Sequence, residues 1–120
     1  MFIRVKCPNT ITSGDVLSFD SNTNQWILAA NGNNVVGIAR TDAAEWEISE
    51  GVTAWTCEAV FSGVCYAKAS QSIPDSGGAL SVTNGAVYVV NQSDSRLVIL
   101  PNELGKTQRN TGDLVRVNIR

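Results

Sequence analysis

A chain of 120 residues, 43% hydrophobic and only 17% charged, has the apolar content of one globular domain and a surface built largely of Asn, Ser, Thr and Gly. Nine Lys and Arg against eleven Asp and Glu give a net charge of -2, which argues against the cation clusters that grip nucleic acid. No histidine is present, which excludes Ser-His-Asp, Cys-His and His-ligated metal chemistry together.

Residues 1–12 read as an N-terminal strand or arm. Phe2, Arg4 and Lys6 alternate with Ile3 and Val5, and Pro8 ends the ladder. Arg4 and Lys6 fall where the apolar core of a signal peptide would lie, so the chain reads as mature from Met1, without a secretion signal. No apolar stretch is long enough for a membrane-spanning helix, and no membrane partner is expected. Three cysteines, Cys7, Cys57 and Cys65, cannot all pair within one chain and show no Cys-x-x-Cys spacing. They read as free, mostly buried thiols.

Residues 13–120 read as a single all-β domain. A turn at Ser13-Gly14-Asp15 leads into a strand through Phe19. The polar loop 20–24 and a return through Gln25-Trp26-Ile27-Leu28-Ala29 make a hairpin. Asn31-Gly32 signals a type I′ turn before the apolar strand Val35-Val36-Gly37-Ile38-Ala39. Residues 40–51 break the pattern and read as an acidic structured loop. The run 53–69 reads as a strand, a bend at Gly63 and a second strand. A turn cluster at 73–78 precedes the strand 79–82, and Asn84-Gly85 marks a second hairpin into 86–90. Strand 97–100, a long polar loop at 101–113 and a final strand at 114–120 complete the chain. With no convincing long helix, nine or ten short strands with frequent turns predict a compact β-sandwich or barrel.

The two arms of this pattern repeat, giving halves of about 13–68 and 77–120. Gly14-Asp15-Val16-Leu17-Ser18-Phe19 answers to Gly77-Gly78-Ala79-Leu80-Ser81-Val82, and Asn24-Gln25-Trp26-Ile27-Leu28 to Asn84-Gly85-Ala86-Val87-Tyr88. Strand 35–39 then matches 97–100, and the strand 54–61 matches 114–120.

Several motifs resemble a family of small phage capsid decoration, or cement, proteins. They are Ser13-Gly14-Asp15-Val16, Val35-Val36-Gly37-Ile38-Ala39, Asp42-Ala43-Ala44, Phe61-Ser62-Gly63-Val64 and Gly112-Asp113-Leu114-Val115-Arg116-Val117, in the family's order. Two departures are the missing aspartate in Gly77-Gly78-Ala79-Leu80 and the missing glycine in 97–100. The resemblance implies a β-sandwich or barrel on the outer surface of a phage head in the virion. Its partners would be the major capsid protein and copies of itself, as a homo-oligomer, usually a trimer. The rival expectations are a glycan- or receptor-binding module and a tail-tube subunit.

No catalytic residue, cofactor or metal site is expected. Residues 20–24 begin like a calcium loop, but Gln25 and Asn31 stand where its glycine and bidentate glutamate belong, so a plain hairpin turn is favoured. Trp26 and Trp55 read as core. Trp46, between Glu45 and Glu47, reads either as a lid folded onto the domain or as an interface anchor. The loop at 40–51 carries Asp42, Glu45, Glu47 and Glu50, while its counterpart carries Lys106 and Arg109 with Glu103 opposing; the pair reads either as two solvated loops or as a head-to-tail contact between subunits. Strand edges at Phe2, Arg4 and Lys6 and at the end of the last strand, Arg120, complete the candidate interface.

Overall fold

Period-two alternation becomes strand at nearly every place the sequence shows it, in a computed structural model that describes residues 2–30, 37–71, 73–74, 78–89, 97–99 and 108–120. In chain order the strands are β1 (Phe2–Lys6), β2 (Val16–Asp20), β3 (Gln25–Leu28), β4 (Gly37–Ala39), β5 (Ala44–Ser49), β6 (Val52–Val60) and β7 (Gly63–Lys68). There follow β8 (Ile73–Pro74), β9 (Gly78–Thr83), β10 (Ala86–Val89), β11 (Leu97–Ile99), β12 (Gln108–Arg109) and β13 (Leu114–Ile119). No described residue is helical, and the protein is all-β. The Asn31-Gly32 turn lies outside the described residues.

A six-stranded sheet runs β1-β6-β4-β2-β3 with β5 added beside β6, and a five-stranded sheet runs β7-β13-β11-β9-β10. Among the described strands neither sheet closes, so the barrel form of the expectation is not met. The bend before Gly63 carries the chain from β6 in the first sheet to β7 in the second. Short β8 and β12 pair with each other where turn and loop were expected.

Read in these orders, the two sheets share one wiring, with β1, β6, β4, β2 and β3 answering to β7, β13, β11, β9 and β10. The match extends to register. Val5 faces Cys57 as Ala67 faces Val115, Leu17 faces Leu28 as Leu80 faces Val89, and Ile38 faces Val60 as Val98 faces Asn118. Even the bond beyond the first strand recurs, from Cys7 N to Trp55 O at 3.1 Å and from Ala69 N to Asp113 O at 2.9 Å. β7, which falls within the 13–68 bounds, pairs in the second sheet. Trp26 corresponds to Val87, one residue away from the sequence alignment, because the β2–β3 turn is longer than the two-residue Asn84-Gly85 turn. Positive φ at both Asn84 (51°) and Gly85 (78°) is the type I′ signature.

Adjacent residues of a strand face opposite ways, and the first sheet buries both faces. Val16, Ile38 and Val60 join a large cluster with Leu80, Val115 and Val117 of the second sheet. Their neighbours Leu17, Ala39 and Ala59 form a separate cluster with Val5, Cys7 and Cys57, against which Trp26 and Phe61 pack. Trp26 is thus partly buried, its ring centroid 4.8 Å from that of Phe61 and the planes at 66°.

Candidate functional site

The acidic segment read as a loop is a strand. Its Ala44-Glu45-Trp46-Glu47-Ile48-Ser49 sequence alternates, and β5 pairs with the first half of β6 through a turn at Glu50-Gly51, with a register shift between Glu47 and Ser49. Glu47 Oε1 accepts a hydrogen bond from Gly51 N at 3.0 Å and fastens that turn. All six residues of β5 are exposed, as are Val52 and Trp55 of β6, so the hairpin shows apolar side chains on both faces. Trp55, expected in the core, is 39% exposed. The reason is topological: β4 pairs with β6 only at Ala59 and Val60, and among the described residues Trp55 joins neither buried cluster. Trp46 is 49% exposed and does not fold back as a lid onto the buried clusters.

The face of β6 that packs on the second sheet at Val60 continues through Glu58, Thr56 and Ala54, where side chains of β1 and β5 lie across it and leave Thr56 only 2% exposed. Along it the side chains form a row. The Arg4 guanidinium lies 3.5 Å from the Trp46 ring centroid, and its Nη1 donates to Thr56 Oγ1 at 3.1 Å. Arg4 Nη2 is 3.5 Å from Glu58 Oε1, and Arg40 Nη1 is 3.9 Å from Glu58 Oε2. Arg40 in turn lies 4.1 Å over the ring of Phe2. The order is Trp46, Arg4, Glu58, Arg40, Phe2. Each arginine is held between a carboxylate and an aromatic ring, which pre-orders long side chains at the surface.

At Phe2 the row opens into a groove of about 350 Å³ where the two sheets meet, lined by Phe2, Arg40, Val64, Tyr66 and Leu114 among others. Val64, Tyr66 and Leu114 are 60%, 56% and 49% exposed. On one side the groove is bounded by the turn at Ser13-Gly14-Asp15. There Asp15 Oδ1 meets Lys68 Nζ at 2.8 Å, Lys68 also bonds Thr12 Oγ1, and Ser13 N donates to Asp42 Oδ1 at 2.8 Å.

Of the expected interface residues, the structure brings Phe2, Arg4 and Trp46 together. Lys6 lies exposed on the same face of β1, opposite Thr56. Glu45 stands opposite Trp55 and Glu50 in the hairpin turn, both exposed. Asp42 is committed to the Ser13 turn. Arg120 is exposed just beyond β13, Arg109 lies in β12, and Lys106 is outside the described residues, so the facing of the acidic and basic segments is not on view. Sequence reasoning missed Arg40, Glu58, Val64, Tyr66 and Leu114. A strict period-two reading of Gly63–Lys68, with Val64 and Tyr66 opposite in face to Cys65 and Ala67, would have found two of them.

The loop at 20–24 is the β2–β3 turn. Its Asp20 carboxylate accepts from Asn22 N and from Thr23 Oγ1, each at 3.0 Å. All three thiols are raised above their ordinary range, chiefly by burial. Cys57, hydrogen-bonded to Cys7, is pushed up to about 12, and Cys65 to about 11. These are packing thiols, opposite in character to a reactive thiolate. Comparison with protein-family models, with curated proteins and with solved structures returned no match.

Proposed function

We propose that the protein is a structural capsid decoration protein, which binds the outside of a phage head and bridges coat subunits as a small homo-oligomer, with a trimer as the first expectation. The observation that carries this reading is the pre-ordered Trp46-Arg4-Glu58-Arg40-Phe2 row running into an apolar groove. Trp, Tyr and Arg held in place on a sheet are the residue types that anchor protein interfaces. The motifs shared with decoration proteins supply the partner. Such work needs no catalysis: bridging adds buried area at joints between coat subunits, and an oligomer that engages several equivalent sites gains by avidity. A glycan-binding module is the second reading: Arg4 occupies one face of Trp46, and the other face, with exposed Trp55 and Tyr66, is where sugars would stack.

The test mixes purified protein with undecorated expanded heads, sediments them and heats the decorated shells. Saturable, stoichiometric co-sedimentation with a raised head-disruption temperature is expected. Its absence across a range of salt, with tryptophan quenching by sugars instead, would transfer the assignment to the glycan reading.

A further inference from the structure

Among the described residues two apolar features are left exposed, and they suit each other. One is the β5–β6 hairpin, a two-stranded ribbon exposed on both faces, bearing Trp46, Ile48 and Val52. Two strands without a second layer are marginal in water, and apolar side chains on both faces make exposure costlier still. The other is the groove at Phe2, Val64, Tyr66 and Leu114, whose volume of about 350 Å³ suits a large side chain or two from a partner.

The hairpin cannot fill the groove of its own chain. Trp46 pairs opposite Ala54, whereas the groove begins at Val60, so the two are separated by six residues of one strand, about 20 Å. Charge points the same way. From Ala44 to Trp55 the hairpin has three carboxylates, at Glu45, Glu47 and Glu50, and no Lys or Arg. The groove has Arg40 in its wall, 52% exposed at its side chain and only loosely paired with Glu58 at 3.9 Å, while Lys68, paired with Asp15, and Arg116 lie on the β7–β13 face that carries Tyr66.

We infer that the partner of this surface is a second copy of the chain, with the acidic β5–β6 hairpin of one subunit seated in the Arg40-bordered groove of the next. A hairpin-to-groove contact uses different patches on the two subunits. It is heterologous, and it closes a ring where the rotation from one subunit to the next divides a full turn. The inference deepens the oligomeric part of the decoration reading but is tested without heads, so either can fail alone.

The test is sedimentation velocity and light scattering on the whole chain over micromolar concentrations. Wild type is expected as a closed oligomer. Trp46→Ser with Ile48→Ser removes the hairpin's apolar anchors, and Tyr66→Asp blocks the groove. Each variant is expected to be monomeric, with its β circular dichroism intact. Should Tyr66→Asp fail to fold, Val64→Glu addresses the same groove.

Mixing the two monomeric variants separates this geometry from a symmetric dimer. One retains a working groove and the other a working hairpin, so the mixture is expected to form a 1:1 heterodimer and stop there. A monomeric wild type, groove variants that assemble normally, or a mixture that stays monomeric would each overturn the inference.

Discussion

Gly14 shows how closely a single position can be specified. Its φ of 94° lies in the left-handed region, and a Cβ there would run into the Leu114 side chain and press on Lys68 Cγ. Gly51 also has positive φ, 73°, but open space around it. Gly14→Ala is therefore expected to cost about 2–4 kcal/mol, strain plus overpacking, and Gly51→Ala only about 1 kcal/mol. Urea unfolding of the two variants side by side checks the difference. The thiols give a pH prediction. Cys57 is raised from 9.0 to about 12 in the native state, so as pH climbs between those values the unfolded chain sheds a proton that the native chain keeps. Stability tied to this group is complete below about pH 9 and declines above it, by at most about 1 kcal/mol per pH unit. Cys57→Ala should lessen the fall in unfolding free energy across that window, Cys7 and Cys65 supplying the remainder, measured by urea titration at a series of pH values. A variant with an unchanged slope would rule Cys57 out as its source.

At the scale of elements, the strands that were legible are those whose cues are local. Asn84-Gly85 specifies its hairpin through the φ values of two residues, and Val16-Leu17-Ser18-Phe19 alternates plainly. The acidic strand β5 was missed because its pairing with β6 leaves both faces in water, and a ribbon with both faces in water selects residues much as a loop does. Trp55 was placed in the core because aromatic residues in strands usually pack. Its exposure depends on where β4 stops pairing, which is a fact about another segment. The Arg4–Trp46 stack was out of reach for the same reason, since β1 and β5 lie on opposite sides of β6. The hairpin's lack of a second layer has a dynamic consequence. In protein dilute enough to be monomeric, the amides of Ala44–Ser49 should exchange with deuterium far faster than those of Leu114–Ile119, whose alternate side chains are buried. In assembled protein the hairpin amides should slow, and equal rates in both states would show that nothing covers the hairpin.

For the whole molecule, the repeat was visible in Leu17-Ser18 and Leu80-Ser81, but its extent was not. Pairing registers β1 with β7, and Phe2, Arg4 and Lys6 with Val64, Tyr66 and Lys68, although only the lysine is shared. The identical wiring lies in hydrogen bonds, which side-chain comparison does not see. The core also ties the halves together, since Val16, Ile38 and Val60 complete a cluster with residues of the second sheet. Apolar burial of that kind, about 25 cal/mol per Å², is shared across the junction and cannot be assigned to either half. A single cooperative unfolding transition is the expectation for such a chain.

The shared register also bears on how such a protein can diversify. Where the sheets correspond, the backbone pairing is constant while the outward pairs differ: Arg4 with Glu58 in one half, Tyr66 with Arg116 in the other. Two copies of one scaffold within a single chain can thus specialise separately. One half here carries a charged row and a hairpin, the other one wall of a groove. Neither change disturbs the ladder beneath, so the outer faces are free to follow a changing partner while the framework stays as it is.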